Sequence, residues 1–195
     1  MTVATRRQRA AEKLLADVHA ITAKEGITPS ALHAMKLRLV ALATRAELFP
    51  AGNFALPVAG GRTHPLLVED GDGHGLYLTI GLPGKEAAPH DHGIWCINAS
   101  VSGRERHEFF RRTDAGSEPG RATVLKVGEV MVEPGNGMAM ADHDIHATRV
   151  VGDRPAIGLA LYGYALGRFP SVAWYHPKFG SVRATPSRRH AAAVA

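Results

Sequence analysis

Gly84-Lys85-Glu86-Ala87-Ala88-Pro89-His90-Asp91-His92-Gly93-Ile94-Trp95-Cys96, running on to Gly103, is the stretch on which the fold turns. Its two histidines stand two residues apart in a run with the character of a β-strand. Successive strand side chains point to opposite faces, so His90 and His92 share one face. Two imidazoles on one face can hold one metal ion. A bare H-x-H is more often a pair of exposed strand histidines, so the surroundings have to decide.

The surroundings are a frame. Five residues separate Gly84 from His90, three separate His92 from Cys96, and six separate Cys96 from Gly103. This spacing resembles the first motif of the cupin superfamily, in which glycines bound a barrel strand and a glutamate follows the H-x-H. The glycines permit the tight turns at each end. Every fixed position is met except the carboxylate, which Cys96 replaces. A metal held by neutral imidazoles alone keeps nearly its full charge, and suits a substrate that brings its own anionic ligand, such as a thiolate. Cys96 is either a further ligand or a packed thiol.

The chain has 195 residues, 45% of them hydrophobic, enough for one sizeable core and one structural domain. A single cysteine excludes an internal disulfide and fits a reducing compartment. Met1 to Arg9 is polar and basic, without an apolar signal core. No apolar run is long enough to span a bilayer, so a soluble, cytoplasmic protein is expected, a monomer or homodimer without membrane partners. Net charge is +5 and the pI about 9.7. The arginines (Arg6, Arg7, Arg9, Arg111, Arg112, Arg188 and Arg189 among them) are scattered, and no nucleic-acid motif accompanies them. No nucleic-acid partner is expected, and a small anionic substrate fits the charge.

Apolar residues at helical spacing (Leu14, Leu15, Val18, Ile21) predict a helix from Thr5 to Glu25, stopped by Gly26. Thr28 caps a second helix, with Pro29 in its first turn, Leu32, Met35, Leu39 and Leu42 on its apolar face, and an end near Phe49-Pro50. After a glycine- and proline-rich loop the pattern changes to short strands: 66–69, 76–82, 94–101, 106–112, 123–127, 130–133, 137–141, 145–151 and 156–162, separated by turn residues. The expectation is an all-β fold, a cupin double-stranded β-helix or small jelly roll, with two N-terminal α-helices packed outside. The preamble covers 1–50, the barrel 51–180, and a flexible tail 181–195.

A third ligand must come from elsewhere in the chain. Cupins supply it after a Gly/Pro turn, and here Gly128 and Pro134-Gly135-Asn136-Gly137 precede Asp142-His143-Asp144-Ile145-His146. His146 opens an alternating strand and is preferred; His143 falls in the turn before it. The segments from Leu67 to Phe110 and from Asp144 to Gly163, which contain "HDHGIW" and "DIH", resemble the cysteine dioxygenase family of cupin-type thiol dioxygenases. "HDHGIW" is closer to the branch that oxidises 3-mercaptopropionate and related mercapto acids than to the mammalian-type cysteine enzymes. The likeness covers most of residues 5 to 165.

The resemblance implies Fe(II) on His90, His92 and His146, and conversion of a small thiol carboxylate to its sulfinate with both atoms of O2. It implies catalytic roles for Tyr162 and Cys96, which a thioether links in the mammalian-type enzymes; Cys96 is offset from that position by one residue. The family's Ser-x-His-x-Tyr run is here Gly158-Leu159-Ala160-Leu161-Tyr162, so only the tyrosine is kept. Arg62 and Arg168 are the candidate clamps for a substrate carboxylate, an arginine fork being suited to two oxygens. Trp95 and Tyr175 are candidates for the pocket wall. His64, His74, His107 and His176 are expected at the surface or outside the ligand set. Two other readings stay open: a three-histidine cupin of another reaction class, such as a carbon–carbon-cleaving dioxygenase or a lyase, and a non-enzymatic metal- or small-molecule-binding cupin.

Overall fold

The computed structural model describes residues 1–58, 61–71, 73–168 and 171–185. Helix α1 (Val3–Glu25) opens on Thr2, whose Oγ1 accepts the Thr5 N–H at 3.1 Å. Helix α2 (Pro29–Ala43) opens on Thr28, whose Oγ1 accepts the Ala31 N–H at 3.1 Å. Pro29 stands where the first turn needs no N–H donor. The helix ends at Ala43, before the expected Phe49-Pro50, and a short 3-10 turn (Ala46–Leu48) follows.

The remaining elements are strands in chain order: β1 (Arg62–Thr63), β2 (Leu66–Glu69), β3 (Gly75–Gly81), β4 (Glu86–Asp91), β5 (Cys96–Ser102), β6 (Arg104–Arg112), β7 (Val124–Val132), β8 (Gly137–Met140), β9 (Ile145–Val151), β10 (Ala156–Tyr162), β11 (Val172–His176) and β12 (Ser181–Thr185). They build two six-stranded sheets, one ordered β1-β3-β10-β5-β8 with β2 also on β3, the other β12-β11-β4-β9-β6-β7. From β3 to β10 the chain keeps crossing between the sheets, with only the β6–β7 hairpin staying in one. That path is the double-stranded β-helix of the cupin fold.

The first sheet is buried on both faces. Leu76, Leu78, Ile80, Ile97, Leu159 and Leu161 point outward and pack under the two helices. Each such buried aliphatic side chain stabilises the fold by roughly 1.5–3 kcal/mol. Alternate residues on the same strands, Tyr77, Cys96, Ala160 and Tyr162, point into the barrel. The helices therefore cover a sheet that would otherwise expose a continuous apolar face.

Both framing glycines sit in the left-handed region, Gly84 at φ 71° and Gly103 at φ 73°. A Cβ on Gly103 would also lie 2.5 Å from the Pro155 carbonyl oxygen. The expected break at Gly128 is absent: β7 runs through it, and Val127 is an extra residue in the register against β6. The β4 ladder ends at Asp91, so His92 lies one residue beyond the strand. The β11–β12 hairpin was not expected, and residues 181–185 of the expected tail are paired in it. Residues 186–195 lie outside the described residues. No described helix is long and apolar enough to cross a membrane.

Candidate metal centre

Strand register brings two of the three histidines face to face. On β4 and β9, His90 and His146 are direct cross-strand partners. The row continues across the second sheet, with Trp174 opposite His90 and Phe109 opposite His146. His92 turns in from just past β4. His146 Nε2 is 3.1 Å from His90 Nε2 and 3.4 Å from His92 Nε2. Two imidazole nitrogens about 2.1 Å from one ion, at an octahedral or tetrahedral angle, lie roughly 3.0–3.4 Å apart. Both separations match ligands around a single ion, and one ligand atom from each of the three histidines lies within 4.8 Å of the others. No described aspartate, glutamate or cysteine joins them as a further ligand.

The rings are prepared for that role. His90 Nδ1–H donates to the Ala88 carbonyl at 2.8 Å, which leaves the Nε2 lone pair facing its partners. Burial disfavours imidazolium and lowers His90 to about 4. Burial, then the neighbouring histidines, holds His92 and His146 well below the ordinary value. All three are neutral at pH 7, the state that binds metal.

The triad opens into a cavity of about 800 Å³, lined among others by Arg62, Thr79, Asn98, Tyr162, Leu166 and Trp174. That size suits a small molecule. Trp174 stacks on His90, centroids 4.7 Å apart and planes at 26°, and its indole N–H donates to Thr185 Oγ1 at 3.0 Å. The β11–β12 hairpin is thus a wall of the site. Gly158 and Ala160 alternate with Leu159 and Leu161 on the strand that carries Tyr162, and the backbone at Gly158 is closely packed. A Cβ at Gly158 would lie 2.9 Å from both Ala99 O and Thr79 Oγ1.

The other sequence candidates separate into two groups. Tyr162 lines the cavity with its ring 5.5 Å from that of His92, and burial pushes its phenol well up, so it stays protonated. Cys96 is the direct cross-strand partner of Tyr162. Its thiol is fully buried, accepts from Asn98 Nδ2 at 3.6 Å, and burial pushes it up to about 12. It is a packed thiol beside the tyrosine. Arg62 lines the cavity with its guanidinium bonded to Glu105.

Trp95 and Arg168 do not reach the cavity. The Trp95 side chain belongs to the layer under the helices, its ring 5.7 Å from that of His74, because it precedes β5 on the outward side. Arg168 is half exposed and pairs with Glu69 at 2.9 Å. Tyr175 points away from Trp174, as adjacent strand residues must, into a cluster with Ala122 and Ile145. His143 is exposed in a turn at φ 66° and contacts Asp91. The cavity is also lined by Trp174 and Lys85, which carry no sequence signal, and by His64 and His107, expected at the surface or outside the ligand set. Alternation along Glu105-Arg106-His107-Glu108-Phe109 is the signal that puts His107 inside, and it is 1% exposed.

A second cluster joins α1 to the turn before β3. His19 Nε2 and His74 Nδ1 lie 2.6 and 3.1 Å from Asp70 Oδ2. The 2.6 Å contact is a hydrogen-bond length, shorter than the spacing of ligands around an ion, and the cluster ties helix to barrel.

No protein-family model matches the chain, and no curated protein matches its sequence. Solved structures do. An oxalate oxidase in complex with the substrate analogue glycolate aligns with a TM-score of 0.46 and 14% identity, over 62% of this chain and 58% of that one. The chain therefore spans little more than half of that enzyme. A double-stranded β-helix protein from Klebsiella pneumoniae aligns with a TM-score of 0.43 and 19% identity, over 65% of this chain and 88% of that one. A hydroquinone 1,2-dioxygenase in complex with Cd2+ and 4-hydroxybenzonitrile aligns with a TM-score of 0.39 and 12% identity, over 51% and 62%.

Proposed function

We propose that this protein is an Fe(II)-dependent thiol dioxygenase that converts a small thiol carboxylate, such as 3-mercaptopropionate or cysteine, to its sulfinate. The observation that carries the reading is a set of three neutral imidazoles, without a carboxylate beside them, at the wall of a cavity that also holds a guanidinium. Such a donor set fits a divalent transition ion and leaves charge for an anionic substrate group to neutralise. When bound, ferrous iron would supply open coordination for an anionic sulfur and the one-electron chemistry that dioxygen needs.

The chain's own residues do the rest. His90, His92 and His146 would hold the ion at the cavity wall. Arg62, with Lys85 nearer the mouth, binds the substrate carboxylate and thereby sets where the sulfur falls. Tyr162, held protonated by burial, donates a hydrogen bond toward the reacting atoms. Trp174, Leu166 and Val172 exclude water. Both atoms of O2 end on sulfur, and the electrons sulfur loses are those dioxygen takes up, so no external reductant is required.

The test is oxygen uptake by the Fe(II)-loaded protein with 3-mercaptopropionate, cysteine and cysteamine, with the product identified by mass spectrometry. Uptake with the two carboxylates and a mass gain of one O2 are expected. No thiol-dependent uptake by protein carrying stoichiometric iron would sink the proposal. One observation favours a second reading, a three-histidine cupin of another reaction class. The cavity of about 800 Å³ is large for a three-carbon thiol carboxylate, which suits a bulkier substrate such as a diketone. Cleavage of a diketone without thiol oxidation would select it.

A further inference from the structure

Hydrogen-bond direction beyond the triad is set by the triad itself. His146 Nε2 faces His90 and His92, so when the centre is loaded that nitrogen is a lone pair and the ring proton is on Nδ1. His146 Nδ1 lies 3.4 Å from His107 Nδ1, with the ring planes at 25°. One hydrogen bond uses one proton, so His146 donates and His107 Nδ1 accepts. The His107 proton is then on Nε2, and that atom lies 3.6 Å from Glu105 Oε2. That separation is an ion-pair distance, longer than a hydrogen bond, and His107 Nε2 is buried with no hydrogen-bond partner among the described residues. The other Glu105 oxygen is bonded to Arg62.

We infer that His107 and Glu105 are positioning residues of the metal centre, forming a directed chain Glu105–His107–His146 that fixes the His146 tautomer and strengthens its Nε2 as a donor. The inference rests on the metal centre and not on the thiol chemistry proposed for it. It supplies what the H-x-H motif lacks: the carboxylate missing beside the ion stands two imidazoles behind it. Burial alone would raise Glu105, but His107 and Arg62 outweigh it and hold the group well below the carboxylate range, so the carboxylate is ionised throughout. The register makes the alignment possible. Phe109 lies directly opposite His146 and His107 opposite Thr148, so the two histidines are diagonal neighbours on one face of the sheet.

The experiment uses the full chain and Zn(II), by competition with a chromophoric chelator, together with long-range 1H–15N spectra of the Zn(II)-loaded protein. In the unmutated protein His107 is expected protonated on Nε2 and His146 on Nδ1. His107→Leu, which leaves the His146 N–H facing an alkyl chain, is expected to weaken Zn(II) about 10–100-fold. His107→Gln, whose amide oxygen can accept that N–H, recovers part of the loss. Glu105→Gln keeps the volume and weakens Zn(II) by less than the leucine change. A proton on His107 Nδ1, or His107→Leu and Glu105→Gln proteins that bind Zn(II) as tightly as the unmutated chain, would overturn the inference. If the leucine variant does not fold, the tautomers and the Glu105→Gln affinity decide. An unmutated protein that binds no Zn(II) overturns the metal centre itself, a result distinct from failure of the chain behind it.

Discussion

Replacing Arg62 with methionine tests whether the pair behind the triad behaves as a buried ion pair. Arg62 and Glu105 are 16% and 13% exposed at their side chains. Methionine keeps most of the aliphatic volume and removes the cation. Glu105 is then left with His107 alone, and breaking such a pair from one side costs about 3–5 kcal/mol. For a domain of this size that is a fall in melting temperature of roughly 6–20 °C. Removing both charges together, as Arg62→Met with Glu105→Leu, eliminates the stranded carboxylate and is expected to restore most of the loss. The assay is urea denaturation of metal-free protein, reading the midpoint at constant slope, since a bound ion would mask the effect by mass action. A single variant within about 1 kcal/mol of the unmutated protein, or a double variant that loses the sum of the two singles, would refute the reasoning.

Three further outcomes are expected. Cys96 stays a thiol to about pH 12, so the native protein should resist iodoacetamide at pH 8.5 and label only on unfolding. Its folded value is raised, so its contribution to stability is complete below the unfolded value near 9 and is lost as pH climbs toward 12, by up to about 4 kcal/mol. Cys96→Ala should flatten that alkaline limb in urea titrations. Gly103→Ala meets both a left-handed φ and the Pro155 carbonyl. It should lower stability by more than the roughly 1–2 kcal/mol of the backbone term alone, read from the urea midpoint. Lys85→Gln should raise KM for 3-mercaptopropionate about tenfold in oxygen-uptake assays, the worth of one charge-assisted hydrogen bond, and leave a thiol without a carboxylate unaffected.

The barrel was legible because its punctuation is local. Gly84 and Gly103 require particular backbone conformations, and a spacing count finds them. The Thr28 N-cap and both helix faces follow from period and capping chemistry in the same way. The third ligand was legible because Ile145-His146 begins an alternating strand, whereas His143 sits among turn residues. The wall of the site was not. Trp174 faces the cavity only because β11 pairs with β4 in a register that sets it opposite His90, and no short-range signal encodes that pairing. Arg168 and Trp95 were placed by distance along the chain from a motif, which does not tell which face of a sheet a side chain leaves from. His107 shows the opposite case: its neighbours Arg106 and Glu108 look like solvent-facing charge, and long-range register turns it inward.

The charge inventory around the triad argues for the kind of ligand it awaits. Three neutral imidazoles contribute no negative charge, and Cys96 and Tyr162 are both held protonated by burial. Glu105 is matched by Arg62, Glu86 stands exposed, and Asp91, between His90 and His92, is turned to the Gly93 N–H and to His143. A divalent ion in this centre would therefore keep most of its charge in a half-enclosed, low-dielectric site, an arrangement costly in free energy until an anion arrives. A neutral substrate would leave that cost in place, whereas a thiolate offsets it at the ion and a carboxylate meets the cations beyond it. On this argument the absence of a glutamate after the H-x-H is a selection device: with the carboxylate at Glu105, behind His107, the innermost negative charge is left to be supplied by whatever the site binds.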